Sequence, residues 1–265
     1  SSLLAEMVPT WATMLPPTSF FIFLSWLVTA STACAVLLVS GRSWAGRPLL
    51  TDDSGVVEAN TLQIESWLRL DPTLLYQTAV FTYGLLDKLE LAAGGAQGVE
   101  RASGAYTFSV PTAQLKTLFV LPEPSGRPGL AAAVGGSAPW GTAPLQTKAW
   151  SSYGYVATSF LFGPEAEFEL HGNVGYARAL TPHRFAAWTW AAAFAASVAC
   201  DACFVFVELS SGAADTPEQD GLVHGGFKYM LSDNAHLDAT VGSGVWGRER
   251  QEPFATLGFM VAFDL

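Results

Sequence analysis

Eleven charged or histidine side chains recur on one side of short alternating stretches: Glu65, Arg69, Glu90, Lys116, Glu169, His171, Glu208, His224, Lys228, His236 and Asp238. Groups of these types can steer ions, exchange protons or ligate metals, and their neighbours narrow the choice. His171 shares a strand face with Glu169 and Asn173, and His236 with Asp238, so either could supply the base and orienting group of a hydrolytic dyad. Neither has a serine close by on its own strand face, and no catalytic residue is expected. Cys200-Asp-Ala-Cys203 has the CxxC spacing of redox and metal motifs. It falls in an expected strand-to-strand turn without a helix or a second ligand pair, which favours a local disulfide or two ordinary thiols. Gly242-Ser-Gly-Val-Trp-Gly247 spells GxGxxG, yet Arg248-Glu-Arg-Gln-Glu-Pro253 leads from it into a strand, so a dinucleotide site is not expected. Neither a cofactor nor a bound metal is implied.

The elements carrying these side chains have a period of two. In 61–70, Leu62, Ile64, Leu68 and Leu70 oppose Gln63, Glu65, Trp67 and Arg69. In 167–177, Phe168, Leu170, Val174 and Tyr176 oppose Glu167, Glu169, His171 and Asn173. The last stretch sets Leu257, Phe259, Val261, Phe263 and Leu265 against Gly258, Met260, Ala262 and Asp264. Alternation of this kind marks strands with one apolar face. Twelve are expected, at about 61–70, 75–83, 88–96, 106–119, 129–136, 153–161, 167–177, 184–198, 203–210, 222–231, 235–241 and 255–265. Their lengths suit the roughly 9–11 residues of a tilted bilayer-crossing strand.

The connections divide into two kinds. Those after even-numbered strands are mostly short (84–87, 162–166, 199–202, 232–234), with 120–128 the longest. Those after odd-numbered strands run longer (97–105, 137–152, 178–183, 211–221, 242–254), with 71–74 the exception. Short turns at one end and long loops at the other are the habit of outer-membrane barrels. The expectation is therefore an all-β fold, an antiparallel transmembrane barrel of about twelve strands over 61–265. Tyr76, Tyr83, Tyr153, Tyr176, Trp188 and Trp246 lie near strand ends, where interfacial aromatic belts form.

Half of the residues are hydrophobic and 14% are charged, yet beyond residue 45 no apolar run reaches the ~18 residues of a spanning helix. The long apolar run is 20–39, followed by Arg42 and Ser43-Trp44-Ala45, a small-x-small cleavage pattern. Residues 1–45 read as a signal peptide, with 1–13 as upstream sequence if Met14 is the start, and 46–60 as a periplasmic N-terminal segment. An uncleaved helical anchor at 20–39 is the rival reading. A lipoprotein site at Cys34 is disfavoured by Ser31 and by the apolar run continuing past it. The leader holds one Glu and one Arg, so its removal keeps the formal charge at −10. Such a surface does not favour nucleic acid, whose phosphates call for clustered Lys and Arg.

The stretch Arg47-Pro-Leu-Leu-Thr-Asp-Asp-Ser-Gly-Val-Val-Glu, continuing to Gln63-Ile-Glu-Ser-Trp67, resembles the N-terminal motif of outer-membrane transporters named after the meta-cleavage pathway of phenol degradation. The resemblance continues through Leu89-Glu-Leu-Ala-Ala-Gly-Gly95, Gln114-Leu-Lys-Thr-Leu-Phe119, Gly172-Asn-Val-Gly-Tyr176 and Leu237-Asp-Ala-Thr240. It implies a barrel in a Gram-negative outer membrane with a role in passage of small solutes, aromatic ones among them. It supplies no functional residue to carry over.

Two readings of the eleven side chains follow. As a lumen lining they would bias which solutes diffuse through a porin-like barrel; as cross-strand partners they would fill a closed barrel with a structural or loop-mediated role. Expected partners are outer-membrane lipids, small solutes, and the barrel assembly machinery. The last would engage the C-terminal strand, where Thr256, Gly258, Val261 and Phe263 follow a polar-x-Gly-x-x-apolar-x-apolar pattern, with Asp264 and Leu265 beyond the usual aromatic end.

Overall fold

The computed structural model describes residues 51–146, 149–163, 167–179, 186–198, 200–212, 221–247 and 250–265. The expected leader, its rival readings and residues 46–50 lie outside the described residues. Twelve strands follow one another: β1 (Thr61–Leu70), β2 (Leu74–Leu86), β3 (Leu89–Glu100), β4 (Tyr106–Val120), β5 (Gly129–Gly141), β6 (Ser151–Phe162), β7 (Phe168–Ala179), β8 (Ala186–Val198), β9 (Cys200–Ser211), β10 (Gly221–Ser232), β11 (Ala235–Gly244) and β12 (Phe254–Asp264). Each pairs antiparallel with its sequence neighbours, and β1 pairs with β12 from Thr61↔Asp264 to Leu70↔Ala255, closing the sheet into a barrel. Among the described residues no helix is long and apolar enough to cross a membrane.

Alternation sorts the two faces. On β10, Leu222 and His224 are buried while Phe227, Tyr229 and Leu231 are exposed; on β9, Phe206, Glu208 and Ser210 are buried while Val205, Val207 and Leu209 are exposed. A water-soluble protein would hide the second set. Here the charged side chains are inside and the aliphatic ones cover the outer wall, the inversion that lipid demands. Aromatic rings gather at the two ends of that wall. Trp140 meets Trp150 and Trp188 meets Tyr176 near the odd-numbered connections, whereas Phe162, Phe168 and Phe194 cluster near the even-numbered ones. Two of the expected belt residues are not in it. Tyr76 points inward beside Arg69, and Tyr153 is buried with its hydroxyl on Gln114, because both fall on the inward parity of their strands.

Connections after even-numbered strands span 87–88, 121–128, 163–167, 199 and 233–234; after odd-numbered ones they span 71–73, 101–105, 142–150, 180–185, 212–220 and 245–253. The short odd-numbered exception has a local cause. The Asp71 carboxylate accepts from the amides of Thr73 (2.9 Å) and Leu74 (2.8 Å), so one side chain closes the turn. Pro111 stands inside β4, where proline removes a ladder donor; the register shifts there, between Val110 and Thr112, placing the proline at a bulge. The CxxC segment is not a turn: Cys200 already pairs with Val198, so all four residues of the motif belong to β9, and Cys203 is disulfide-bonded.

Val134 sits near the middle of β5 on the outer wall and is 61% exposed. Val134→Arg should lower folding stability in bilayers by about 2–4 kcal/mol, the cost of a cation at the midplane. Equilibrium unfolding in urea with lipid vesicles measures it, and an unchanged midpoint would contradict a lipid-facing position.

Candidate functional site

All eleven candidate side chains project to the inner face. Glu65, Glu90, Lys116, His171, Glu208, His224, His236 and Asp238 are buried, and Arg69, Glu169 and Lys228 are partly so. Strand register then groups them. Glu90 lies opposite Lys116 across β3 and β4, His224 opposite Glu208 across β10 and β9, and Lys228 opposite Asp238 across β10 and β11. The matching distances are 3.9 Å from Lys116 Nζ to Glu90 Oε1 and 3.5 Å from His224 Nε2 to Glu208 Oε2. His236 Nε2 is 4.0 Å from Asp238 Oδ2. Glu65 accepts from Gln63 Nε2 at 2.6 Å. Arg69 is held by rings: its guanidinium lies 3.8 Å from the Phe254 ring centre and 5.8 Å from that of Tyr76, with Asp71 at 4.0 Å.

The largest departure from the sequence-based expectation concerns the N-terminal segment. Its described part is 51–60, of which 51–58 runs inside the barrel. Asn60 adopts a left-handed φ of 62°, its amide donates to Gly84 O, and Thr61 N returns to Glu58 O. This turn folds the chain back into the lumen, a geometry asparagine tolerates better than most residues. From there the backbone is fastened to the wall by side chains: Val57 N to Glu90 Oε2 (2.6 Å), Ser54 N to Ser159 Oγ (2.8 Å), and Thr51 N to Glu208 Oε1 (2.9 Å). The Asn173 amide, with its nitrogen toward the Asp52 carbonyl, donates there at 2.8 Å and accepts from Asp52 N at 2.7 Å, acting as a substitute strand edge.

At the centre is an ionic knot. Lys116 Nζ, 1% exposed, lies 2.7 Å from Asp52 Oδ1 and 3.6 Å from Asp53 Oδ1, in addition to Glu90. Tyr155 OH donates to the other Asp52 oxygen. Asp53 also turns its own backbone, accepting from Gly55 N at 2.6 Å. Burial raises the Asp53 carboxyl above its ordinary value, opposed by Lys116. Two glycines give the segment room. A Cβ on Gly129 would stand 2.0 Å from Ser54 Oγ, and one on Gly84 1.9 Å from Glu58 O.

A serine does face His171, from the neighbouring strand rather than from its own. Ser159 of β6 is its register partner on β7, with Oγ 2.9 Å from His171 Nδ1, and His171 Nε2 is 3.1 Å from Glu169 Oε2. The neighbour is invisible along one strand and appears only once strands are paired. Ser54 N donates to the same Ser159 oxygen, so the row of groups ends on the docked segment. It fastens that segment to the wall. Among the described residues no set of three His, Cys, Asp or Glu is placed to hold a metal. Sequence reasoning passed over Asp52, Asp53, Tyr155 and Ser159 as site residues, and named Asn173 only as a face neighbour of His171. One signal was available: adjacent carboxylates in a stretch without alternation, facing a barrel whose expected lumen carried a central lysine.

The family model described as "Putative MetA-pathway of phenol degradation" matches residues 45–263. No curated protein sequence matches the chain. Among solved structures the fold is similar to an outer membrane channel from Pseudomonas putida F1, at 10% identity and TM-score 0.56, over 80% of this chain and 98% of that one. It is also similar to the KdgM porin, at 8% identity and TM-score 0.53, over 76% of this chain and 99% of that one; that porin has also been solved in complex with disordered oligogalacturonate.

Lys116→Ala would leave the buried carboxylate of Glu90 and the partly buried ones of Asp52 and Asp53 without their counter-charge, at a cost of about 3 kcal/mol. The segment should then spend far more time undocked. A Ser54→Cys reporter should react with a water-soluble maleimide roughly a hundredfold faster in the Lys116→Ala background. Equal rates would show that Lys116 does not hold the segment.

Proposed function

Because the chain belongs to the MetA-pathway family of phenol degradation, we propose that it is a porin-like channel of a Gram-negative outer membrane, passing small solutes through a lumen narrowed by residues 51–58. The observation that carries this reading is the inverted barrel. A closed wall with an aliphatic exterior and a charged interior suits a water-filled path across lipid, and serves no purpose in a protein packed around an oily core. Twelve strands stand between the filled eight-stranded barrels and the wide channels of sixteen or more, so a narrow path is what the geometry supports.

Aromatic compounds fit the lining. Trp67, Tyr76, Tyr153, Tyr155, Phe206 and Phe254 fall on inward parity, toward the end of the odd-numbered connections. Tyr153 and Tyr155 stack with centroids 6.4 Å apart, and Phe206 meets His224 edge-on at 5.8 Å. Ring faces of this kind offer a planar solute successive weak contacts without a deep well. In this reading membrane lipids cover the outer wall, and β12, which pairs with both β1 and β11, presents its alternating end to the assembly machinery.

A second reading, a closed barrel with a structural or loop-mediated role, draws on the same docked segment, since it occupies the lumen. Planar-bilayer recording separates the two. The channel reading expects a small steady conductance from the intact barrel and a several-fold larger one from a variant lacking residues 51–58. Silence from both proteins would reject the channel and favour the closed barrel.

A further inference from the structure

We infer that the docked segment sets the charge preference of the lumen through Asp52 and Asp53, so that cations and uncharged solutes pass more readily than anions. The inference rests on the channel reading and goes beyond it by naming the solute class. Lys116 is the pivotal group. Projecting from β4 into the middle of the lumen with nothing beside it, an ammonium would concentrate anions. Instead it is enclosed by Asp52 at 2.7 Å, Asp53 at 3.6 Å and Glu90 at 3.9 Å, so the knot it centres carries more carboxylates than cations.

The other described inward cations are committed as well. Arg69 lies 3.8 Å over the Phe254 ring centre with Asp71 at 4.0 Å, and Lys228 lies 4.9 Å from the Phe204 ring centre, in register with Asp238. Glu65, Glu169 and Glu208 add further acidity on the same face. A low-dielectric wall focuses the surplus negative field along the path. The wall by itself holds a milder excess; the segment supplies two of the carboxylates and cancels the central lysine. The device is therefore a filter built jointly from the wall and the chain's own N-terminal segment. Among aromatic solutes it selects neutral phenol-like compounds and aryl ammonium ions over aryl carboxylates.

Reversal potentials across a planar bilayer in a KCl gradient at low ionic strength test it. The intact barrel should prefer K+ to Cl−. Phenyltrimethylammonium should carry current that benzenesulfonate, an anion of similar ring size, does not. Asp52→Asn/Asp53→Asn should lower the K+ to Cl− permeability ratio about fivefold or more, since each charge near the path is worth about that factor even in water. Gly129→Val, which crowds Ser54 and expels the segment without touching the knot's charges, should raise conductance and lower the same ratio. A Cl− preference in the intact barrel, or a ratio unmoved in both variants, overturns the inference while leaving the channel intact. Absence of all current removes the channel reading and the inference with it.

Discussion

In hydrocarbon an unpaired backbone amide has no water to turn to, and each costs several kcal/mol. That constraint organises this molecule. Its decisive contact is the pairing of β1 with β12 over ten registered positions, which joins the first strand to the last and removes both sheet edges. Closure fixes strand parity around the ring, and parity decides which side chains meet lipid and which meet the lumen. Glycine, proline and asparagine then act at the exceptions: Pro111 at a bulge, and Asn60 at the turn into the interior.

The same constraint reappears inside. Residues 51–58 form no strand, yet their amides need partners in a largely buried space. The wall provides them through Glu90, Ser159, Glu208 and Asn173, each projecting from a different strand. The lumen side chains thus have two duties at once, holding a segment that would otherwise lack hydrogen bonds and shaping the path beside it. This is why a lysine can be buried at the centre of the barrel: two of the three carboxylates that offset its burial come with the segment and the third, Glu90, from the wall.

Strand type and number were legible because lipid enforces alternation; β1 and β10 show it along most of their length, with Ser66 an outward exception in β1 and Leu222 and Met230 inward ones in β10. The loop asymmetry was legible from breaks at glycine, proline and aspartate. What escaped was everything that depends on pairing. His171 and Ser159 lie twelve residues apart and meet only through the β6–β7 register. Tyr76 and Tyr153 look like belt residues by position and are lumen residues by parity. Segment 51–58 escaped for a different reason: it has no period, because its partners come from scattered strands of the wall rather than from oil on one side and water on the other. Cys200-Asp-Ala-Cys203 was misplaced by a few residues, since a connection as short as residue 199 lets β9 start at once.

The inverted wall is tested most directly by nitroxide labels placed one at a time along 222–231 of β10, with accessibility to oxygen and to a water-soluble nickel chelate read by electron paramagnetic resonance. Oxygen contact should peak at 223, 227, 229 and 231, nickel contact should be greatest at the alternate positions, and the two profiles should run out of phase with a period of two. Profiles in phase, or nickel contact at the positions assigned to lipid, would contradict the account.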